Sequence, residues 1–264
     1  MPFVSVDGTS IHYRITGRHG APRLVLANSL GSDLRIWDEV CQHLAPDFEL
    51  LCYDKRGHGL SDVGNTPYSL STLADDVLAL MDAAGWQDAA LIGVSVGGLI
   101  AQAVSVMAPQ RVRGLVLLDT AAKIGTDASW SDRITAIEDV GLPAMADAIA
   151  SRWFSAGFAE RSPAAFHGWR NMLARTPAAG YVATCAALRD ADLREAVQHI
   201  RAPTLVLCGA EDAATTPALV EDTAKRIPGA RFEVIAQTGH IPFLEQPQTI
   251  AGLIVTHMKD VYHG

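Results

Sequence analysis

Short unbroken apolar runs alternate with longer stretches of helical period along the first half of the chain. Arg23–Ala27 (RLVLA), Phe48–Tyr53, Ala89–Ile92 and Val112–Leu118 have the length and continuity of buried strands. Phe3–Val6 and Ser10–Arg14 alternate around Asp7-Gly8 and read as an N-terminal β-hairpin. Between the strands lie a helix near Ile36–Leu44 and an amphipathic one over Ser71–Ala84. The second carries Leu73, Val77, Leu80 and Met81 on one face, with Ser71 as N-cap and Gly85 as the stop. Strands alternating with helices predict an α/β fold, a parallel sheet covered on both faces. After Ala121 the rhythm breaks. From 122 to 199 there is only helical periodicity, interrupted by Pro143, Pro163 and Pro177, which predicts an inserted helical cap. Alternation resumes with a strand at Thr204–Cys208, a helix at Pro217–Ile227, a strand at Arg231–Ile235 and a last helix over Pro247–Lys259. The expected organisation is a core of residues 1–121 and 200–264 with a cap of 122–199.

The stretch Ala89–Ala108 carries no charge, which a hydropathy window reads as a membrane helix. Its glycines, bunched mid-stretch, argue against that. They fall in Gly93-Val94-Ser95-Val96-Gly97-Gly98, a G-x-S-x-G core between the end of a strand and a helix-compatible run, Leu99–Met107. A strand that feeds a helix through so tight a turn strains the residue at its tip and pushes that side chain into the open, while flanking glycines let the backbone pass. Ser95 is thus a candidate nucleophile.

A serine hydroxyl needs a base within hydrogen-bond reach, and the base needs an orienting acid. Of nine histidines, His240 follows the strand Arg231–Ile235 in a loop that would present it at the carboxyl edge of the sheet; His58 also follows a strand but precedes the serine. The acid expected is Asp212, after the strand that follows the cap, with Asp119 as competitor and Glu211 pointing elsewhere. Two backbone N–H groups are needed for a developing oxyanion, and they are assigned to Val96, after the nucleophile, and Leu30, in the loop after Arg23–Ala27.

Composition narrows the partners. A net charge of −8 disfavours nucleic acid and anionic membrane, and obliges any anionic substrate to find a local cation. The four cysteines are scattered, with no C-x-x-C pair, and read as small buried hydrophobes. The N-terminus lacks a basic segment followed by an apolar one, so no signal peptide is expected and the cytoplasm is the expected compartment.

These residues together resemble a known family. The elbow Gly93–Gly98, the D-x-R-G-x-G-x-S segment Asp54–Ser61, Asp212 and Gly239-His240 are similar to the α/β hydrolases. Asn28-Ser29-Leu30-Gly31-Ser32, where most relatives begin His-Gly, together with Gly239–Pro242, Glu245-Gln246-Pro247 and Cys185–Asp192, resembles the 3-oxoadipate enol-lactonases. The resemblance implies an α/β-hydrolase fold, a mostly parallel eight-stranded sheet flanked by helices with an inserted helical cap. It implies hydrolysis of an anionic lactone through an acyl-enzyme on Ser95, without metal or organic cofactor. The substrate carboxylate then needs a cation. The cap supplies Arg133, Arg152, Arg170, Arg175 and Arg189; Arg133 is chosen, with Trp130 and Trp153 walling the pocket. Arg56 and His58 are assigned to holding the loop near the site. A carboxylesterase or cofactor-free perhydrolase would use the same serine, and Asn28-Ser29 separates the chain from these. A receptor-like binding protein on the same scaffold would not need Ser95, Asp212 and His240 all intact.

Overall fold

The computed structural model describes residues 2–263, so Met1 and Gly264, the ends of the expected core, lie outside the described residues. Eight strands form one sheet: β1 (Phe3–Val6), β2 (Thr9–Gly17), β3 (Arg23–Ala27), β4 (Glu49–Tyr53), β5 (Ala89–Val94), β6 (Val112–Leu118), β7 (Thr204–Gly209) and β8 (Arg231–Ile235), in the order β1-β2-β4-β3-β5-β6-β7-β8. The β1–β2 and β2–β4 pairs are antiparallel and the other pairs are parallel. Strands β4, β5 and β7 are buried at every position, as expected of strands covered on both faces. The edge strands β1 and β8 are mostly exposed or half-buried. Strand β2 runs three residues past the predicted Arg14, because Tyr13–Gly17 pairs with Glu49–Tyr53, a partner no local pattern reveals.

The helices α1 (Asp38–Leu44), α2 (Leu70–Ala83), α3 (Val96–Met107), α9 (Pro217–Arg226) and α10 (Pro247–His263) connect or follow the strands; α2 packs on α3, and α1 on α10. Helix α2 begins earlier than predicted. Ser69, extended at φ −107° and ψ 163°, is its N-cap and accepts from the Thr72 N–H at 3.0 Å, so Ser71 lies within the first turn. Between β6 and β7 lie α4 (Asp127–Val140), α5 (Leu142–Ala150), α6 (Phe158–Arg161), α7 (Pro163–Ala174) and α8 (Ala178–Asp190). The prolines of this segment start helices: Pro143 and Pro163 stand in first turns, where a missing N–H costs nothing, and Pro177 is an N-cap. The uncharged stretch 89–108 divides into β5 and α3. Among the described residues no helix is long and apolar enough to cross a membrane. All four cysteines are buried and free.

The strand order places the site. The chain goes outward from β3 to β4 and returns across to β5, so β3 and β5 are neighbours whose C-terminal loops depart independently. This is where open α/β sheets form crevices. Ala27 pairs with Gly93, which sets the loop from Asn28 beside the turn at Ser95.

Candidate active site

Ser95 joins β5 to α3 at φ 57° and ψ −122°, a conformation that is costly for a residue with a side chain. The surroundings over-determine it. Its N–H donates to Leu118 O at 3.0 Å, and its carbonyl accepts from Thr120 Oγ1 at 2.7 Å and from the Leu99 N–H at 3.1 Å. The glycines are sterically required: a Cβ on Gly97 would stand 2.0 Å from Ala27 O, and one on Gly93 2.2 Å from Gly97 O. The α3 helix can therefore sit close against β3 and β5. Its first N–H groups, Val96 among them, have no intrahelical acceptor.

His240 follows β8, is 3% exposed, and its Nδ1 lies 2.8 Å from Asp212 Oδ2. Asp212 sits in the turn after β7. Its Oδ1 accepts from the N–H groups of Ala214 at 2.7 Å and Thr215 at 3.0 Å, and its Oδ2 from Thr215 Oγ1 at 2.6 Å. Burial alone would raise this carboxyl. The charge and hydrogen bond of His240, with the bonds from Thr215 and Ala214, outweigh it and hold Asp212 below its ordinary pKa. Asp119 is oriented otherwise, with Oδ1 accepting from the Gly209 N–H at 2.8 Å; burial and the neighbouring Asp212 charge push its pKa well up. Glu211 turns to the Ala156 N–H at 2.8 Å.

Ser95 and His240 share a cavity of about 190 Å³ with Leu30, Trp130, Arg133 and Trp153. All three residues chosen from the cap thus face the serine. The Leu30 loop is held from below: His58 Nε2 accepts the Gly31 N–H at 3.0 Å, while Arg56 is removed from the loop, pairing with Asp76 through Nε at 2.6 Å.

Residues 22–247 match the α/β hydrolase fold family. The chain is 34% identical over 97% of its length to 3-oxoadipate enol-lactonase 2 of Acinetobacter baylyi, covering 96% of that protein. Among solved structures, an enol-lactonase from Burkholderia xenovorans superposes with a TM-score of 0.95 at 37% identity, over 98% of this chain and all of that one. The chain belongs to the 3-oxoadipate enol-lactonase family of α/β hydrolases. A hydrolase from Pseudomonas aeruginosa is similar as well, with a TM-score of 0.94 and 37% identity over 97% of each chain.

In this hydrolase the cap arginines sort by their partners. Arg170 is paired with Asp147 at 2.9 Å and Arg189 with Asp190 at 2.7 Å, and Arg175 lines a separate cleft beside Arg14 and Arg35. Arg133 and Arg152 alone of the five line the serine's cavity. Arg152 Nη2 donates to Ala213 O at 2.8 Å, whereas among the described residues Arg133 meets only a hydroxyl, Tyr181, at 3.3 Å. Tyr181 and Thr215, both lining the cavity, escaped the sequence reading. Thr215, three residues after Asp212, had a signal: Asp followed at that spacing by Thr is a local turn in which the carboxylate collects the turn's donors. Tyr181, on α8, had none.

Asp119, Cys208 and Asp212 bring ligand-type atoms within 4.8 Å of one another. They are a poor metal set. Metal ligands must be deprotonated, whereas burial pushes up both the Cys208 thiol and the Asp119 carboxyl, and Asp212 is committed to His240 and Thr215.

Proposed function

We propose that this hydrolase opens the enol-lactone of 3-oxoadipate through an acyl-enzyme on Ser95, with residues 122–199 as a cap over the site. The observation that carries the reading is Asp212 on His240 Nδ1 in the cavity where Ser95 stands on its strained turn. Asp212 holds Nδ1–H, which leaves Nε2 as the base. Ser95 Oγ attacks the lactone carbonyl and His240 takes its proton. The oxyanion accepts hydrogen bonds from the Leu30 and Val96 N–H groups, each worth about 3 kcal/mol. Collapse breaks the ring C–O bond and expels an enolate, a better leaving group than an alkoxide. The enolate takes the proton held by His240 and becomes the ketone, which returns His240 to its neutral form. Water, deprotonated by His240, then cleaves the Ser95 ester and releases the acid. No step calls for a metal or organic cofactor, and the small anionic lactone is the only partner the reading needs.

The test is the loss of enol-lactone absorbance on adding purified protein. Turnover of the lactone far above that of simple aryl esters supports the assignment. Cleavage of aryl esters alone would keep the nucleophile and discard the substrate.

The substrate carboxylate is assigned to Arg133, whose guanidinium has no carboxylate partner within the cavity, with Trp130 and Trp153 as apolar walls. A charge-assisted hydrogen bond contributes about 1.5–3 kcal/mol, so Arg133→Ala should raise KM about 10–100-fold with a smaller change in kcat. An unchanged KM would move the role to Arg152.

A further inference from the structure

The loop that carries Leu30 is anchored by a charge. Lys55, just after β4, is 1% exposed, and its ammonium donates to Ser29 O and, at 3.2 Å, to Ser32 O. Ser32 Oγ also donates to Ser29 O, at 2.9 Å, and Asn28 Nδ2 to Ser32 O. The acids nearest in sequence and charge are engaged elsewhere: Asp54 with His12 Nδ1 at 2.7 Å, and Asp33 with Arg35 at 2.6 Å. The Lys55 ammonium is therefore spent on backbone carbonyls, and Lys55 does not line the serine's cavity.

Burying an ammonium is expensive unless its charge is used. Neutral groups already supply anchors here, so what Lys55 adds is charge and direction. Ser29 C=O and Leu30 N–H are the two ends of one planar, trans peptide, and they point opposite ways. A donor fixed on the oxygen fixes where the N–H points, away from Lys55. A cation on the oxygen also draws electrons from the nitrogen and strengthens the N–H as a donor, as in cooperative hydrogen-bond chains.

We propose that Lys55 is a positioning residue of the oxyanion hole: held on the Ser29 carbonyl, it orients and polarises the Ser29–Leu30 peptide so that the Leu30 N–H binds the tetrahedral intermediate on Ser95 more strongly than the ground state. The proposal rests on Leu30 as an oxyanion donor in the reading above. The charge is available in a limited pH range. Burial pulls Lys55 down to about 7, with Asp54 and Asp33 opposing. The other titratable group facing it, His58, is itself pushed down by burial and by the Lys55 charge, and so stays neutral to accept the Gly31 N–H. The sign follows: Lys55 is charged below about pH 7 and loses its proton above.

The test compares wild type, Lys55→Met and Ser32→Ala on p-nitrophenyl acetate, so that it does not depend on the lactone assignment. Removing one oxyanion donor lowers kcat by about 10²–10³. Weakening one should therefore cost about 30-fold in kcat for Lys55→Met, with KM within about twofold and the affinity for phenylboronic acid, which forms a tetrahedral adduct, falling in parallel. Wild-type kcat should decline as pH rises through about 7, and this decline should be missing from Lys55→Met. Ser32→Ala, which removes a neutral donor from the same carbonyl, should lose about threefold and keep the decline. Wild-type kcat in Lys55→Met, a loss confined to KM, or an alkaline decline that persists in the variant overturns the proposal. If Lys55→Met does not fold, an unchanged kcat in Ser32→Ala overturns it. Failure of the underlying reading looks different: Ser95→Ala would retain wild-type turnover, and there would be no tetrahedral intermediate on Ser95 for Leu30 to bind.

Discussion

Ser95→Ala should lower kcat for the enol-lactone by about 10⁴–10⁶, the largest effect of any single substitution in this protein. The hydrogen bonds that hold residue 95 run through its backbone, to Leu118, Thr120 and Leu99, so a methyl side chain leaves the turn and its positive φ in place. The cavity, His240 and the Leu30 and Val96 N–H groups remain, and they sustain the residual hydrolysis by water. The measurement is steady-state lactone turnover with thermal melting of both proteins. An unchanged melting temperature with collapsed kcat assigns the loss to the missing nucleophile. Equal turnover would remove Ser95 from the mechanism.

Asp212→Asn should lower kcat by about 10⁴, whereas the same substitution at Asp119 should change it by only a few-fold. The two carboxyls are neighbours, and chemistry separates them. Asp212 is held ionised and accepts from His240 Nδ1 at 2.8 Å. An amide there can turn its NH₂ to Nδ1, which stabilises the wrong tautomer and leaves Nε2 protonated and unable to take the serine proton. Asp119 is pushed towards its neutral form by burial and the Asp212 charge, and its structural task is to accept the Gly209 N–H at 2.8 Å. An asparagine oxygen does that equally well. Turnover of both variants, measured beside wild type, checks the contrast. Loss in Asp119→Asn with activity kept in Asp212→Asn would reverse the assignment.

Much of the scaffold was legible because short apolar or alternating runs bounded by turn residues mark strands. Four strands, Phe3–Val6, Arg23–Ala27, Val112–Leu118 and Arg231–Ile235, run between the residues their patterns predict. Misses occur where the cause lies outside the local window. Ser71 looked like a cap because it stands before an apolar stripe, but the extended backbone is at Ser69. Pro143, Pro163 and Pro177 read as interruptions and turn out to open helices, because a proline forbids only what precedes it. Ser95 was readable as a candidate nucleophile because that chemistry is tied to a local turn, in which Gly93 and Gly97 are demanded by contacts under 2.5 Å.

The sequence by itself determined the order of strands and helices, the elbow at Ser95 and a short set of acids, bases and cations that could serve it. These follow from burial, turn sterics and side-chain chemistry, which act over a few residues. Only the tertiary structure decided which of them meet. It put Asp212 on His240 and turned Asp119 to Gly209, brought Arg133 and Arg152 but not Arg170 or Arg189 to the cavity, and set Lys55 beneath the peptide of Leu30. Those choices depend on strand order and on the positions of loops distant in the chain. The direction of a buried carboxyl or ammonium is fixed by the hydrogen-bond partners that folding gathers around it.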